Sequence, residues 1–95
     1  MKTHLVSNGT VATLQVEGHI TGVTEVLEIK TQLSNVDFDI LELTIEDAFV
    51  IPSAFIGYLV KIVQKDGKKI LLHPKQPSLK TLITDLNLDA VFEVR

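Results

Sequence analysis

Residues 40–65, ILELTIEDAFVIPSAFIGYLVKIVQK, decide how the chain folds. Ile40, Leu41, Leu43 and Ile45 form a short apolar run suited to a buried strand, and after an acidic loop at Glu46 and Asp47 the pattern becomes helical. Pro52 and Ser53 mark the switch, because proline is tolerated in the first helical turn and a serine hydroxyl can accept a bond from an unpaired helix N–H. Phe55, Ile56, Leu59, Ile62 and Val63 then recur at three- and four-residue spacing, which places them on one face against the strand. Ser53, Gly57, Lys61 and Gln64 fall on the opposite face. The stretch thus reads strand, loop, helix, with a hydroxyl where the helix begins and a surface opened by Gly57.

Working outward, His4–Val6 and Val11, Leu14 and Val16 read as two short strands joined at Asn8-Gly9, a dipeptide that takes the positive φ of a hairpin turn. Gly18 to Gly22 is a loop, after which Val26, Ile29 and Leu33 define a helix with Glu25 and Glu28 near its start and Ser34-Asn35 at its end. On the other side of the central stretch, Asp66-Gly67 closes the helix and Ile70, Leu71 and Leu72 make a buried strand. Pro77 opens a third helix whose Leu79, Leu82, Ile83 and Leu86 share a face, and Asn87 suits a left-handed cap with Leu88 folding back behind it. Ala90 to Val94 reads as a last strand. The order β-β-α-β-α-β-α-β implies a mixed sheet with right-handed crossovers.

The chain of 95 residues, 45% hydrophobic and 22% charged, is expected to form one globular domain over residues 1–95. No cysteine is present, which excludes a disulfide framework, a thiolate metal site and a cysteine nucleophile. A formal charge of −3 gives no electrostatic reason to bind nucleic acid or an anionic membrane. The N-terminus lacks the apolar core of a signal peptide, and the uncharged run Ala48–Val60 is too short to span a bilayer, so a cytoplasmic protein is expected.

His4, His19 and His73 have no neighbour at metal-ligand spacing, and no P-loop, GxGxxG or GxSxG occurs, so neither a metal, a cofactor nor a catalytic residue is expected. Asp37, Asp39, Glu42, Glu46 and Asp47 crowd the ends of the central strand, either as a solvated rim or as a docking surface for a basic partner. Ser53 has two readings: a helix cap contributing about 1 kcal/mol, or a phosphorylation site at the positive end of a helix. Phosphate there would add negative charge beside Glu46 and Asp47 and change the sign of a partner-binding face.

These residues resemble a STAS domain, the family named for sulfate transporters and anti-sigma factor antagonists. Its central signature is a strand followed by an aspartate-serine-serine/threonine-glycine-leucine-glycine run that opens a helix, and Ile51-Pro52-Ser53-Ala54-Phe55-Ile56-Gly57 lies on that register. Gly18 matches a glycine after the second strand and Gly67 one ahead of the next. Pro77-Ser78-Leu79-Lys80-Thr81-Leu82 resembles the proline-led third helix, and Leu86-Asn87-Leu88 stands where threonine-glycine-leucine is common. Pro52 replaces the aspartate, Ala54 the second hydroxyl residue and Phe55 the first glycine, while Thr21 stands where an acidic residue is frequent.

The resemblance implies a STAS-like mixed sheet packed by about three helices, without the family's C-terminal helix, whose absence would leave apolar surface around Phe92 and Tyr58 open. It also implies a non-enzymatic bacterial regulator of transcription, phosphorylated at Ser53 by an anti-sigma factor that is a serine kinase. Partner contacts are then expected at Pro52, Ala54, Gly57, Lys61 and Gln64, with Glu46, Asp47 and Thr21 around them. A homodimer is a further expected partner arrangement, and two alternatives stand beside this reading: an unphosphorylated STAS scaffold or subunit of a membrane transporter or signalling assembly, and a small-ligand-binding domain.

Overall fold

Five strands form one sheet in the computed structural model, which describes all 95 residues. β1 (Lys2–Asn8), β2 (Val11–Glu17), β3 (Ile40–Ile45), β4 (Lys69–Pro74) and β5 (Glu93–Val94) lie side by side in chain order. β1 and β2 are antiparallel, and β2 through β5 run parallel. Helices α1 (Val23–Ser34), α2 (Ser53–Gln64) and α3 (Pro77–Asp85) make the crossovers. Every crossover steps to the next strand in the same direction, so right-handed connections lay all of the helices on one face of the sheet. This is the β-β-α-β-α-β-α-β order and mixed sheet expected from the sequence.

The register shows how alternation builds the core. Leu5, Leu14, Leu43, Leu72 and Val94 stand in one row across the five strands, and Leu14, Leu43 and Leu72 are fully buried beneath the helices. The next row, His4, Gln15, Thr44 and His73, points the other way because successive side chains in a strand alternate faces. That second face, uncovered by any helix, mixes such polar residues with Val6, Val11, Ile40 and Leu71. Each helix contributes a stripe to the core: Val26, Ile29 and Leu33 from α1, Phe55, Leu59 and Ile62 from α2, Leu79 and Ile83 from α3. Burying an aliphatic or aromatic side chain of this size contributes roughly 1.5–3 kcal/mol. Ile56 and Val63, expected on the same stripe of α2, are only half-buried at its flank.

Four local expectations are corrected. The hairpin loop is Gly9-Thr10, one residue later than Asn8-Gly9, because Asn8 still pairs with Val11; Gly9 carries the positive φ of 64°. Leu86 is exposed, since α3 ends at Asp85 and the next residue leaves the helical path. Asn87 adopts the expected left-handed conformation at φ 58°, and Leu88 beyond it packs on the core in the place foreseen for Leu86. The last strand is only Glu93–Val94: Leu88–Ala90 form a 3₁₀ turn, and the Phe92 N–H bonds the Leu88 carbonyl at 2.8 Å. That turn tucks the Phe92 ring into the core, where it is 2% exposed, so it leaves no open apolar surface.

Candidate functional site

The C-terminal ends of β2, β3 and β4 meet at one rim, the place where open parallel sheets present their binding surfaces. Two loops dominate it, residues 18–22 after β2 and residues 46–52 after β3. Gly18 holds them together: its N–H donates to Asp47 Oδ2 at 2.7 Å. Its φ of 85° suits glycine, and a Cβ there would come within 3.3 Å of the Met1 backbone. Gln15 Nε2 donates to Glu46 Oε1 at 2.9 Å, and the Glu46 N–H donates to the Val16 carbonyl at 2.9 Å. Glu46 and Asp47, expected at the rim, are therefore both engaged in hydrogen bonds between the two loops and β2, with Asp47 still exposed. Asp37 and Asp39 lie at the opposite end of β3, beside a cavity of about 310 Å³ that they line with Gly9, Thr10, Phe38 and Lys68. Four of the five acidic residues around the central strand thus fall into two separate groups, while Glu42 stands mid-strand beside Thr13 on the face without helices.

Ser53 is exposed at the start of α2, as the sequence indicates, but it does not cap the helix. Pro52 holds the cap position, with extended backbone, and its carbonyl accepts from the Phe55 and Ile56 N–H groups at 3.0 and 3.2 Å. The serine stands one residue too late to turn its hydroxyl back on those amides. The N–H groups of Ser53 and Ala54 find no acceptor within the chain, so the first turn presents free donors beside the free hydroxyl.

The loop also carries exposed apolar side chains that no motif in the sequence marks. Phe49 and Val50 are 52% and 67% exposed, and the Phe49 ring lies 5.9 Å from that of His19 in the neighbouring loop. His19, Ile20, Thr21, Val50, Ile51 and Pro52 line a cavity of about 360 Å³ at the mouth of α2. The signal was present as Ala48-Phe49-Val50-Ile51, an apolar run inside a loop; Ala48 and Ile51 are buried and hold the two between them outward.

Thr21 lies on the rim and donates from Oγ1 to Glu25 Oε1 at 2.7 Å, which is the main cause holding the Glu25 carboxyl below its ordinary range. Ala54, Gly57, Lys61 and Gln64 are all exposed along α2, and a Cβ at Gly57 would meet nothing within 4 Å. The surface expected from the sequence is thus continuous: Thr21 and Pro52 at the cavity, then Ser53 and Ala54, then Gly57, Lys61 and Gln64. Across the groove from α2, Lys30 Nζ of α1 sits 5.3 Å from the centre of the half-buried Tyr58 ring. No three His, Asp or Glu side chains gather to hold a metal ion, and no helix is long and apolar enough to cross a membrane.

Strand order, helix placement and rim together define a STAS-like α/β fold. Among solved structures, the chain is similar to the crystal structure of an anti-sigma factor antagonist from Mycobacterium paratuberculosis, with a TM-score of 0.73 over 98% of this chain and 83% of that one. At 17% sequence identity that likeness is one of fold. No family model and no curated protein matches the sequence.

Proposed function

We propose that this protein is a non-catalytic regulatory domain that works by binding another protein through the rim and the exposed face of α2, in the manner of an anti-sigma factor antagonist. The observation that carries this reading is the exposure of Phe49 and Val50 beside the uncapped Ser53 on a fold shared with such an antagonist. A single exposed apolar side chain such as Leu86 needs no explanation, but Phe49 and Val50 adjoin each other and the cavity lined by Ile20 and Ile51, and a contiguous patch of this kind marks an interaction site. Around them, Thr21, Pro52 and Ala54 form the near contacts, Gly57 admits close approach, Lys61 and Gln64 lie further along the helix, and Glu46 and Asp47 fix the loop.

Ser53 is the switch. Phosphate there faces free helix N–H donors, so the fold accommodates it, while about two negative charges arrive on a surface whose neighbours are apolar. The serine-kinase partner and a cytoplasmic setting belong to this reading.

The test is to incubate the purified chain with ATP and each serine-kinase anti-sigma factor of the host genome, locate phosphate by mass spectrometry, and measure complex formation by calorimetry. Phosphate on Ser53 with loss of the complex is expected. A complex that forms equally with wild type and Ser53→Asp removes the switch and leaves constitutive docking; absence of any complex removes the reading itself.

A further inference from the structure

One edge of the sheet is unpaired along its whole length. β1 is a seven-residue edge strand, whereas the opposite edge, β5, has two residues. The direction of its free main-chain groups follows from the ladder. The carbonyls of Thr10 and Val16 accept bonds from the β3 side, from Ile40 and Glu46, so the even-numbered residues of β2 face β3 and Val11, Thr13, Gln15 and Glu17 face β1. Their partners in β1 are Asn8, Val6, His4 and Lys2. The N–H and C=O groups of Thr3, Leu5 and Ser7 therefore point away from the sheet.

Edge strands that remain monomeric carry devices against pairing: proline, a bulge, or inward charges. β1 has no proline, its register with β2 is unbroken over all seven pairs, and its one formal charge, Lys2, lies at the end. Val6, 62% exposed, sits in its middle on the face without helices.

We infer that β1 pairs antiparallel with β1 of a second copy of this chain, about a two-fold axis at Leu5, joining two sheets into one. The sequence KTHLVSN is complementary to itself in that register: Leu5 meets the other copy's Leu5, Thr3 meets Ser7, His4 meets Val6, and Lys2 meets Asn8. Thr3, Leu5 and Ser7, whose main-chain groups are free, are the residues that this register places in hydrogen-bonded pairs. No like charges oppose each other, which is the condition a self-pairing strand must meet. One strand pair buries well below the roughly 1,000 Å² typical of a stable interface, so the dimer is a weak, concentration-dependent one. It leaves Ser53 and α2 free and is independent of the function proposed for them.

Sedimentation equilibrium of the full chain from low micromolar to near-millimolar concentration tests this, with amide hydrogen exchange at both ends of the range. A monomer–dimer equilibrium is expected, with exchange at Thr3, Leu5 and Ser7 slowing as concentration rises. Two exposed substitutions should weaken it at least tenfold while leaving thermal melting of the monomer cooperative. Ser7→Pro removes an outward N–H without touching the β1–β2 ladder, and Val6→Lys sets lysines near each other and near Lys2 across the axis. A chain that stays monomeric throughout overturns the inference, as does a dimer that both variants form equally well. Protection of these amides only on adding a different protein also overturns it, and assigns the edge to a foreign strand.

Discussion

The Gly18 N–H and the Asp47 carboxylate, 2.7 Å apart, join the loop after β2 to the loop after β3. This bond crosses the rim and sets where Phe49 and Val50 emerge. Asp47→Ala should destabilise the chain by about 1 kcal/mol in urea denaturation, the usual net worth of one hydrogen bond in an exposed setting. It should also speed exchange of the Gly18 amide. Unchanged exchange there would show that the loops are held by packing alone.

Ser53 makes no capping bond, so its contribution to stability can be separated from the switching role proposed for it. Ser53→Ala should shift stability by less than about 0.5 kcal/mol, the range of an exposed surface change. Loss of a true cap would cost about 1 kcal/mol. Ser53→Asp should raise stability by about 0.3–1 kcal/mol through the helix dipole, while abolishing the complex. A marked loss of stability in Ser53→Ala would restore the cap.

Gly57 offers a cleaner separation of folding from docking. Nothing in the chain approaches its missing Cβ, and glycine inside a helix is less favourable than alanine by roughly 0.5–1 kcal/mol. Gly57→Ala should therefore raise the denaturation midpoint and weaken partner binding. A variant that is more stable and binds as well as wild type would take Gly57 out of the interface.

Tyr58 is the single tyrosine of a chain without tryptophan, so its phenolate absorbance can be read alone. Burial against α1, with the Asp66 carboxylate as a second cause, pushes its hydroxyl above the ordinary value. The folded state thus holds this proton more tightly than the unfolded one. Its contribution is present in full below the unfolded pKa of about 10 and is lost as pH rises through the higher folded value. Asp66→Asn should lower the folded pKa only in part, leaving the shift that burial causes. Titration at the ordinary tyrosine value would show that the ring is more accessible than the packing indicates.

Periodicity and turn chemistry carried most of the fold into view. Leu41, Leu43 and Ile45 alternate as a strand must, Val26, Ile29 and Leu33 repeat as a helix must, and Gly67 and Asn87 adopt the positive φ that their residue types favour. The end of the chain was harder to read, because Ala90–Val94 is too short a run for periodicity to distinguish a strand from a turn anchored at both ends by Leu88 and Phe92. At the rim, the helix pattern placed Ser53 at the start of α2 but not its hydroxyl, which makes no capping bond. A one-residue shift in where the helix starts is invisible to pattern and decisive for geometry. The pairing of His19 with Phe49 joins residues thirty apart and leaves no local signal.

The sheet is assembled in the order in which it is synthesised, every strand being laid against the one made just before it. Each parallel pair nonetheless closes across an intervening helix, Val11 finding Ile40 and Ile40 finding Lys69, so growth proceeds strand by strand from the opening hairpin at the intermediate pace of a mixed α/β domain. The same arrangement leaves the two-residue fifth strand as the last to join. Its amides are therefore among the first to open under native conditions, and those of the buried central strands β3 and β4 the last.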